Sequence, residues 1–186
     1  MSQAFPGGIL WLTGLSGSGK STLAALIGSR LKPQRPVEIL DGDEFRAHIS
    51  KGLGFTKEDR DINIRRIGFV ARLLARHGVL AVAAAISPYA DTRQEIRQLA
   101  ASEGIVFIEV FLNAPLQTLI DRDVKGLYKR AIAGEIAHFT GISDPYEPPV
   151  SPELAVRTNA ESAEACAQRI VDLLVDRGLA AQASRV

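Results

Sequence analysis

The sequence has little cysteine, no long apolar run and almost no net charge, and each shortage excludes a class of protein. Its one cysteine, Cys166, excludes an intramolecular disulfide and suits a reducing compartment. The longest wholly apolar run, residues 79–86, is far shorter than the ~20 residues of a membrane-spanning helix. A formal net charge of +1 creates no general attraction to nucleic acid or to an anionic membrane. We therefore expect a cytoplasmic protein that has neither nucleic acid nor a membrane as a partner.

Short apolar runs alternate with helical patterns along the chain, and this alternation predicts an α/β fold. The predicted strands are residues 9–12, 37–40, 79–86 and 106–112, and the predicted helices are 20–31, 56–77, 92–101, 116–122 and 161–177. Apolar, partly β-branched strands are typical of a parallel sheet buried on both faces. We expect one domain over residues 1–186, with helices on both faces of the sheet.

Residues 123–152 interrupt the alternation. They are rich in glycine, proline, lysine and tyrosine, and only a short helix near 128–133 is predicted within them. A long irregular excursion from a compact domain is usually a lid or a binding loop. We therefore predict a lid at about residues 123–152.

The helix that follows Thr56 has the clearest boundaries. Thr56 and Asp59 form a capping box, and Gly78 is a typical helix stop. A set of apolar residues recurs at helical spacing and is predicted to form the buried stripe. The set is Ile62, Phe69, Val70, Leu73 and Leu74.

A phosphate-binding loop follows the first predicted strand and precedes the first predicted helix. Residues 14–21 fit the pattern G-x-x-x-x-G-K-[ST]. Backbone N–H groups of such a loop bind phosphate oxygens, the lysine contacts the β- and γ-phosphates, and the serine hydroxyl is a ligand of Mg²⁺. The predicted ATP-binding residues are Gly14, Leu15, Ser16, Gly17, Ser18, Gly19, Lys20, Ser21 and Thr22.

The loop alone does not distinguish kinases from GTPases. Guanine-specific proteins carry Asn-Lys-x-Asp after a late strand, whereas residues 113–116 read Asn-Ala-Pro-Leu. A kinase of small molecules is therefore favoured. A nucleotide-binding switch or regulatory subunit that transfers no phosphoryl group remains the alternative from another class.

Two carboxylates, Asp41 and Asp43, follow the second predicted strand, at the edge where ligands bind in parallel sheets. Such carboxylates can hold the hydration shell of Mg²⁺ and accept the proton of an attacking hydroxyl. Asp-Gly is also ordinary turn chemistry, and Asp43 could simply cap a helix. Beside a phosphate loop we favour catalytic roles for Lys20, Asp41 and Asp43, with Ser21 and Asp41 as the metal site.

Cations and aromatic rings downstream predict an acceptor that is both anionic and planar. Arg60 and Asn63 share one face of the capped helix, and Arg46 and Phe55 precede them. Phe139 and Lys125 lie in the predicted lid. These residues favour a nucleotide-like acceptor, while a sugar acid or a nucleoside monophosphate remains open.

Ile86 and Ser87 end the third predicted strand, again at the ligand edge. Ser87 could contact the acceptor, carry the phosphoryl group transiently as a fourth catalytic residue, or only stabilise a turn before Pro88. No base lies next to Ser87 in the sequence. We therefore favour direct transfer from ATP to the acceptor.

The ordered series of motifs resembles the adenylylsulfate kinases of sulfate assimilation. The resemblance extends from about residue 8 to residue 149 and continues less distinctively into the last helix. Ala90 and Ile132 depart from it, since many members have arginine at those positions. The motifs are residues 9–22, 41–43, 54–55, 58–60, 63–66, 86–89, 125–129, 139–142 and 144–149.

The resemblance implies phosphorylation of the ribose 3′-hydroxyl of adenylylsulfate by ATP. It also implies a five-stranded parallel sheet of the nucleoside-monophosphate kinase type, a mobile lid, a homodimer, and adenine held between Phe55 and Phe139. The implied adenylylsulfate-binding residues are Asp43, Arg46, Phe55, Arg60, Asn63, Ile86, Ser87, Lys125, Phe139 and Thr140.

Overall fold

The computed structural model describes residues 5–181, so the predicted domain ends at 1 and 186 lie outside the described residues. Its strands are β1 Gly8–Thr13, β2 Val37–Asp41, β3 Leu80–Ala84, β4 Val106–Asn113 and β5 Leu154–Arg157. They form one sheet in the order β2-β3-β1-β4-β5, and every pairing is parallel. The predicted α/β class and five-stranded parallel sheet are confirmed.

Seven helices accompany the strands within residues 5–181. They are α1 Lys20–Leu31, α2 Gly42–His48, α3 Lys57–Arg76, α4 Ala90–Ser102, α5 Leu116–Arg122, α6 Leu127–Ile132 and α7 Ala163–Asp176. The bounds of α1 and α5 agree with the prediction. Two elements were missed: β5 has four residues and α2 has seven, so each spans only about two periods of its hydrophobic pattern. Between residues 5 and 181, no helix has the length and apolar character that crossing a bilayer requires.

Helices cover both faces of the sheet because successive strand residues point to opposite sides. Leu10 and Leu12 of β1 pack in one layer with α1 and α7, which includes the fully buried Cys166. Ile9 and Trp11 pack in the other layer with α3 and α4. Cys166 is thus part of the core.

Helix α3 begins as predicted, but its predicted buried stripe is wrong for three residues. The Thr56 hydroxyl accepts a hydrogen bond from the Asp59 backbone N–H at 3.2 Å. Ile62, Phe69 and Leu73, however, are 39%, 55% and 39% exposed. The side facing the sheet carries Ile64, Ile67, Gly68, Ala71 and Ala75 instead.

Helical spacing did not distinguish the two sides of α3, because both carry apolar residues at the same period. The buried side has small residues that permit close packing. A Cβ atom added to Gly68 would lie 2.8 Å from the side chain of Ile96 on α4, so the two helices are in direct contact there.

Residues 123–152, the predicted lid, fall into two parts. The first part belongs to a small separate cluster in which Tyr128 and Phe139 pack with Leu119 of α5 and Leu15 of the phosphate loop. The second part is joined to the sheet, because Tyr146 stacks on Phe111 and its hydroxyl lies 3.0 Å from the Thr13 hydroxyl.

Candidate active site

A cleft of about 250 Å³ opens at the carboxyl edge of the sheet. It brings together residues that lie far apart in the sequence. Those lining it are Ser16, Gly17, Gly19, Lys20, Ser21, Thr22, Asp41, Asp43, Arg46, Arg60, Asn63, Ile86, Ser87 and Lys125. The other predicted site residues, which do not line this cleft, are Gly14, Leu15, Ser18, Phe55, Phe139 and Thr140.

The phosphate loop connects β1 to α1 at one end of the cleft. Gly19 precedes the helix in the left-handed conformation, with φ of 95°, which favours glycine. No side chain caps the N-terminus of α1. The first N–H groups of the helix are therefore free to bind an anion, and the helix dipole favours negative charge there.

Lys20 is buried under the loop and directed at its carbonyl groups. Its Nζ donates hydrogen bonds to the backbone oxygens of Gly14 at 2.9 Å and Leu15 at 2.7 Å. Burial lowers the pKa of Lys20 from 10.5 to about 7, and the carboxylates of Asp43 and Asp41 only partly oppose this. A phosphate group beside Nζ would favour the charged form, so this lysine suits a site that an anion completes.

Ser21 and Asp41 form an oxygen-rich pair at the mouth of the cleft. The Ser21 hydroxyl donates a hydrogen bond to Oδ2 of Asp41 at 2.6 Å, and Oδ1 of Asp41 accepts one from the Asp43 backbone at 2.9 Å. Asp41, not Asp43, therefore caps α2. No cluster of three or more His, Cys, Asp or Glu side chains suitable for a metal is present in residues 5–181. One carboxylate and one hydroxyl beside bound phosphates fit Mg²⁺, which usually retains several waters.

Asp43 faces the lid segment across the cleft. Its Oδ2 accepts a hydrogen bond from Nζ of Lys125 at 2.6 Å. This contact raises the pKa of Lys125, with the hydrogen bond as the main cause. The lysine predicted in the lid and the carboxylate predicted at the strand end are thus direct partners.

Two guanidinium groups lie on the acceptor side, and both are close to the Phe55 ring. The distances from the ring centroid are 4.6 Å for Arg46 and 5.4 Å for Arg60. Burial lowers the pKa of both groups, and for Arg46 the charge of Arg60 lowers it further. Two partly desolvated cations this close favour an anionic ligand.

Two buried polar side chains near these arginines lack a hydrogen-bond partner. Asn63 lines the cleft, is 3% exposed, and its Oδ1 has no partner within the described chain. The Thr140 hydroxyl is likewise buried and unpaired. An unsatisfied buried acceptor costs about 1–3 kcal/mol, so Asn63 suits a ligand that donates a hydrogen bond.

Comparison with known proteins agrees with this geometry. Residues 6–157 match the family model described as Adenylylsulphate kinase. The chain belongs to this family. An adenylyl-sulfate kinase of Myxococcus xanthus is 59% identical over 173 residues, which cover 93% of this chain and 94% of that protein.

Solved structures of adenylylsulfate kinases share the fold. The APS kinase CysC of Mycobacterium tuberculosis, solved in complex with AMPPNP and APS, is 46% identical with a TM-score of 0.88, and the match covers 91% of this chain and 98% of that one. A hexameric APS kinase from Thiobacillus denitrificans is 34% identical with a TM-score of 0.72, and the match covers 95% of this chain and 30% of that one.

In this member of the adenylylsulfate kinase family, the Ser87 hydroxyl points into the protein body. Ser87 is 1% exposed, and its Oγ accepts a hydrogen bond from the Trp11 indole at 3.0 Å. Its backbone is left-handed, with φ of 42°, and its carbonyl accepts a hydrogen bond from Arg93 at 2.7 Å. The Ser87 hydroxyl is therefore engaged in a structural contact and is poorly placed to act as a nucleophile.

The two predicted adenine-binding rings have different surroundings. Phe55 is 50% exposed, whereas Phe139 is 9% exposed and packs edge-on against Tyr128 at 5.1 Å. Arg60 connects the two segments, because it donates hydrogen bonds to the carbonyls of Phe55 and His138. An adenine held between the rings remains a prediction.

Sequence reasoning missed the residues that support the third strand end. Arg93 is 3% exposed and donates hydrogen bonds to Glu109 at 2.8 Å and to the carbonyls of Ser87 and Glu147, each at 2.7 Å. The one available signal was Glu109, a charged residue within an apolar strand, because such a residue requires a buried partner. Nothing in the sequence identified Arg93 as that partner.

Proposed function

We propose that this protein transfers the γ-phosphoryl group of ATP to the 3′-hydroxyl of adenylylsulfate, giving 3′-phosphoadenylylsulfate and ADP in sulfate assimilation. The observation that carries the proposal is the shared cleft. One end has the phosphate loop with Lys20, and the other has the paired guanidinium groups of Arg46 and Arg60. Asp43 lines the same cleft. A phosphoryl donor and an anionic acceptor can therefore be bound side by side.

The phosphate loop holds the donor. Backbone N–H groups from Gly14 to Thr22 bind the phosphates of ATP, and Lys20 offsets the charge on the β- and γ-phosphates. Ser21 and Asp41 are the residues that would hold Mg²⁺. When bound, the ion neutralises phosphate charge and orients the donor.

Transfer is direct and in line. The 3′-oxygen forms a bond to the γ-phosphorus, while the bond from that phosphorus to the β–γ bridging oxygen breaks and ADP leaves. The hydroxyl proton passes to the carboxylate of Asp43, which acts as general base. The buried position of the Ser87 hydroxyl supports a single transfer without a phosphoserine.

The acceptor site surrounds a planar, doubly anionic molecule. Arg46 and Arg60 bind the phosphate and sulfate oxygens of adenylylsulfate. Oδ1 of Asn63 accepts a hydrogen bond from the same molecule. Phe55 and Phe139 stack on the adenine. Ile86, the Ser87 backbone, Lys125 and Thr140 complete the site.

The test is mass-spectrometric detection of 3′-phosphoadenylylsulfate after incubation with Mg-ATP and adenylylsulfate. A panel containing a sugar acid and nucleoside monophosphates serves as control, and we expect turnover only with adenylylsulfate. If another acceptor were turned over and adenylylsulfate were not, the chain would be a different small-molecule kinase. ATP binding without transfer to any acceptor would favour a nucleotide-dependent switch.

We extend the proposal to the domain organisation, cellular location and oligomeric state of the enzyme. Residues 1–186 form one kinase domain with a lid at 123–152, the protein is cytoplasmic, and it works as a homodimer. Its small-molecule partners are ATP and adenylylsulfate. The relatives solved with AMPPNP and APS and as a hexamer support the ligands and the self-association.

A further inference from the structure

The loop between β3 and α4, residues 85–89, forms one wall of the cleft, and Ile86, Ser87 and Pro88 are among the residues that line it. No residue of this loop belongs to a helix or a strand. Ser87 also has a left-handed backbone, with φ of 42°, which a residue other than glycine keeps only where its surroundings hold it. The shape of this wall is therefore determined by contacts from outside the loop.

Three consecutive carbonyl groups of the loop, those of residues 86–88, each accept a hydrogen bond from a different part of the chain. In chain order the donors are the Thr13 hydroxyl of β1 at 2.7 Å, Nη1 of Arg93 on α4 at 2.7 Å and the Glu147 backbone N–H at 2.9 Å. None of these three donor residues is among those that line the cleft. They therefore act on a ligand in the cleft only through the loop.

Arg93 connects the loop to two further elements, because all three nitrogens of its guanidinium group donate hydrogen bonds. Besides the bond from Nη1 to the loop, Nε donates to Glu109 of β4 at 2.8 Å and Nη2 donates to the Glu147 carbonyl at 2.7 Å. The Arg93 side chain is only 4% exposed. A planar guanidinium group holds three acceptors in fixed relative positions, which the single ammonium group of a lysine cannot do.

The segment around Glu147, which is part of the predicted lid, is bound to the same loop. The Glu147 carboxylate accepts a hydrogen bond at 2.7 Å from the N–H of Ala90, the first residue of α4. The Tyr146 hydroxyl donates to the Thr13 hydroxyl, because the one proton of Thr13 is donated to the loop. The end of the lid segment and the loop are thus fixed to each other, and Arg93 is the side chain that binds both.

We propose that Arg93 is a positioning residue for the acceptor, because it holds the Ser87 carbonyl, and with it the loop, in the shape that binds adenylylsulfate. The inference rests on the proposed function. Arg93 does not touch the acceptor, and its effect is transmitted by Ile86 and Ser87, which line the same cleft as Asp43. The hydrogen bonds of Arg93 within residues 5–181 do not reach residues 14–22, so the binding of ATP does not depend on it.

The test compares two lysine variants of the same helix. Arg93→Lys keeps a positive charge beside Glu109 and removes the group that holds both carbonyls. Arg97→Lys is the matched control: Arg97 lies about one turn further along α4 and contacts the same Glu109 at 3.2 Å and Glu153 at 2.6 Å, but neither the loop nor the lid segment. Arg93→Lys should raise the KM for adenylylsulfate at least tenfold and change the KM for ATP by less than about twofold. Arg97→Lys should leave both constants within about twofold of the parent.

Arg93→Gln is the second variant, in case Arg93→Lys fails to fold. Glu109 keeps Arg97 as its partner in this variant, so no buried carboxylate is left unpaired. The glutamine side chain cannot hold both carbonyls, and we expect the same selective rise in the KM for adenylylsulfate. Denaturant unfolding identifies which variants are folded under the conditions of the assay.

Trp11, the single tryptophan of the sequence, gives a readout that needs no reaction. Its indole N–H donates a hydrogen bond to the Ser87 hydroxyl at 3.0 Å, so its fluorescence responds to a displacement of Ser87. Arg93→Lys should shift the emission maximum of the folded protein, whereas Arg97→Lys should leave the emission as in the parent.

An unchanged KM for adenylylsulfate in a folded Arg93 variant would overturn the proposal. An equal rise in the KM for ATP, or an equal effect of Arg97→Lys, would overturn it as well, because the arginines would then act only through general stability. A parent protein that does not phosphorylate adenylylsulfate would instead contradict the proposed function. The emission of Trp11 would then still decide whether Arg93 holds the loop, with an unchanged emission in Arg93→Lys as the contradicting result.

Discussion

The ammonium group of Lys125 lies 2.6 Å from a carboxylate oxygen of Asp43, and this ion pair links the segment after α5 to the first turn of α2. The Lys125 and Asp43 side chains are 57% and 76% exposed, so the pair contributes at most about 1 kcal/mol. Such a weak contact can be exchanged for a contact with the acceptor. The carboxylate can then take the proton of the 3′-hydroxyl.

Asp43→Asn keeps the shape of the side chain and removes its negative charge. If Asp43 is the general base, kcat should fall by ~10² to 10⁴, while the affinity for adenylylsulfate changes little. Steady-state kinetics and direct binding of adenylylsulfate measure the two quantities. A rise confined to the KM for adenylylsulfate would show that Asp43 only positions the acceptor.

ATP binding should take up protons at alkaline pH, because burial holds the pKa of Lys20 at about 7 in the free protein. Bound phosphates stabilise the charged ammonium and raise this pKa. At about pH 8 binding should take up close to one proton per site, and at about pH 6 Lys20 is already charged and contributes none. Calorimetry in buffers of different ionisation enthalpy measures the uptake, with Lys20→Met as the control. A parent protein that behaves like Lys20→Met at pH 8 would falsify this assignment.

The same pKa affects stability in the absence of nucleotide. The ordinary pKa of 10.5 applies to Lys20 in the unfolded chain, against about 7 in the folded one. The unfolded chain therefore binds more protons between about pH 7 and 10.5, and the contribution of Lys20 to the free energy of unfolding rises with pH over that window. Denaturant unfolding of the parent, compared with Lys20→Met at several pH values, should show this rise only in the parent. If the free energy of unfolding depended on pH equally in both proteins, the lowered pKa of Lys20 would be contradicted.

Ser87→Ala should retain activity within about tenfold of the parent, because the Ser87 hydroxyl is buried and accepts a hydrogen bond from Trp11. The substitution leaves the buried indole N–H without an acceptor, which costs about 1–3 kcal/mol of stability. Chemical denaturation and steady-state kinetics test the two effects separately. Stereochemistry at a chiral γ-phosphate tests the mechanism itself: inversion agrees with direct transfer, whereas net retention would establish a phosphoserine intermediate.

Arg60→Ala should raise the KM for adenylylsulfate by ~10-fold or more and leave ATP binding nearly unchanged. Arg60 donates hydrogen bonds to the carbonyls of Phe55 and His138, so its loss removes a cation and also loosens both segments. Arg169→Ala is the matched control. It removes a surface arginine of α7 that pairs with Glu161, and it should leave both constants unchanged. Equal weakening of ATP by Arg60→Ala would mean that the donor and acceptor ends of the cleft are assigned the wrong way round.

Helix α3 shows why the hydrophobic pattern alone did not predict which side of a helix is buried. Ile62 and Ile64 belong to opposite stripes of the same helical period, and only contact with Ile96 and the sheet distinguishes the side that is buried. Asp41 and Asp43 show a second limit of prediction from the sequence, which is the choice between two roles for one residue. The sequence offered a cap or a catalytic group at Asp43, and the structure assigns the cap to Asp41, which leaves the Asp43 side chain free to contact Lys125.

The reaction class was determined by the sequence itself, because the chemistry of the phosphate loop is local. Residues 14–21 are consecutive, and β1 and α1 on either side are also local patterns. The orientation of the Ser87 hydroxyl was decided only by the tertiary structure, since its partner Trp11 is 76 residues away in the chain. The same holds for Arg93, whose hydrogen bonds join α4, β4 and the loop after β3. Contacts between distant segments depend on how the sheet and helices pack, and no short pattern in the chain records them.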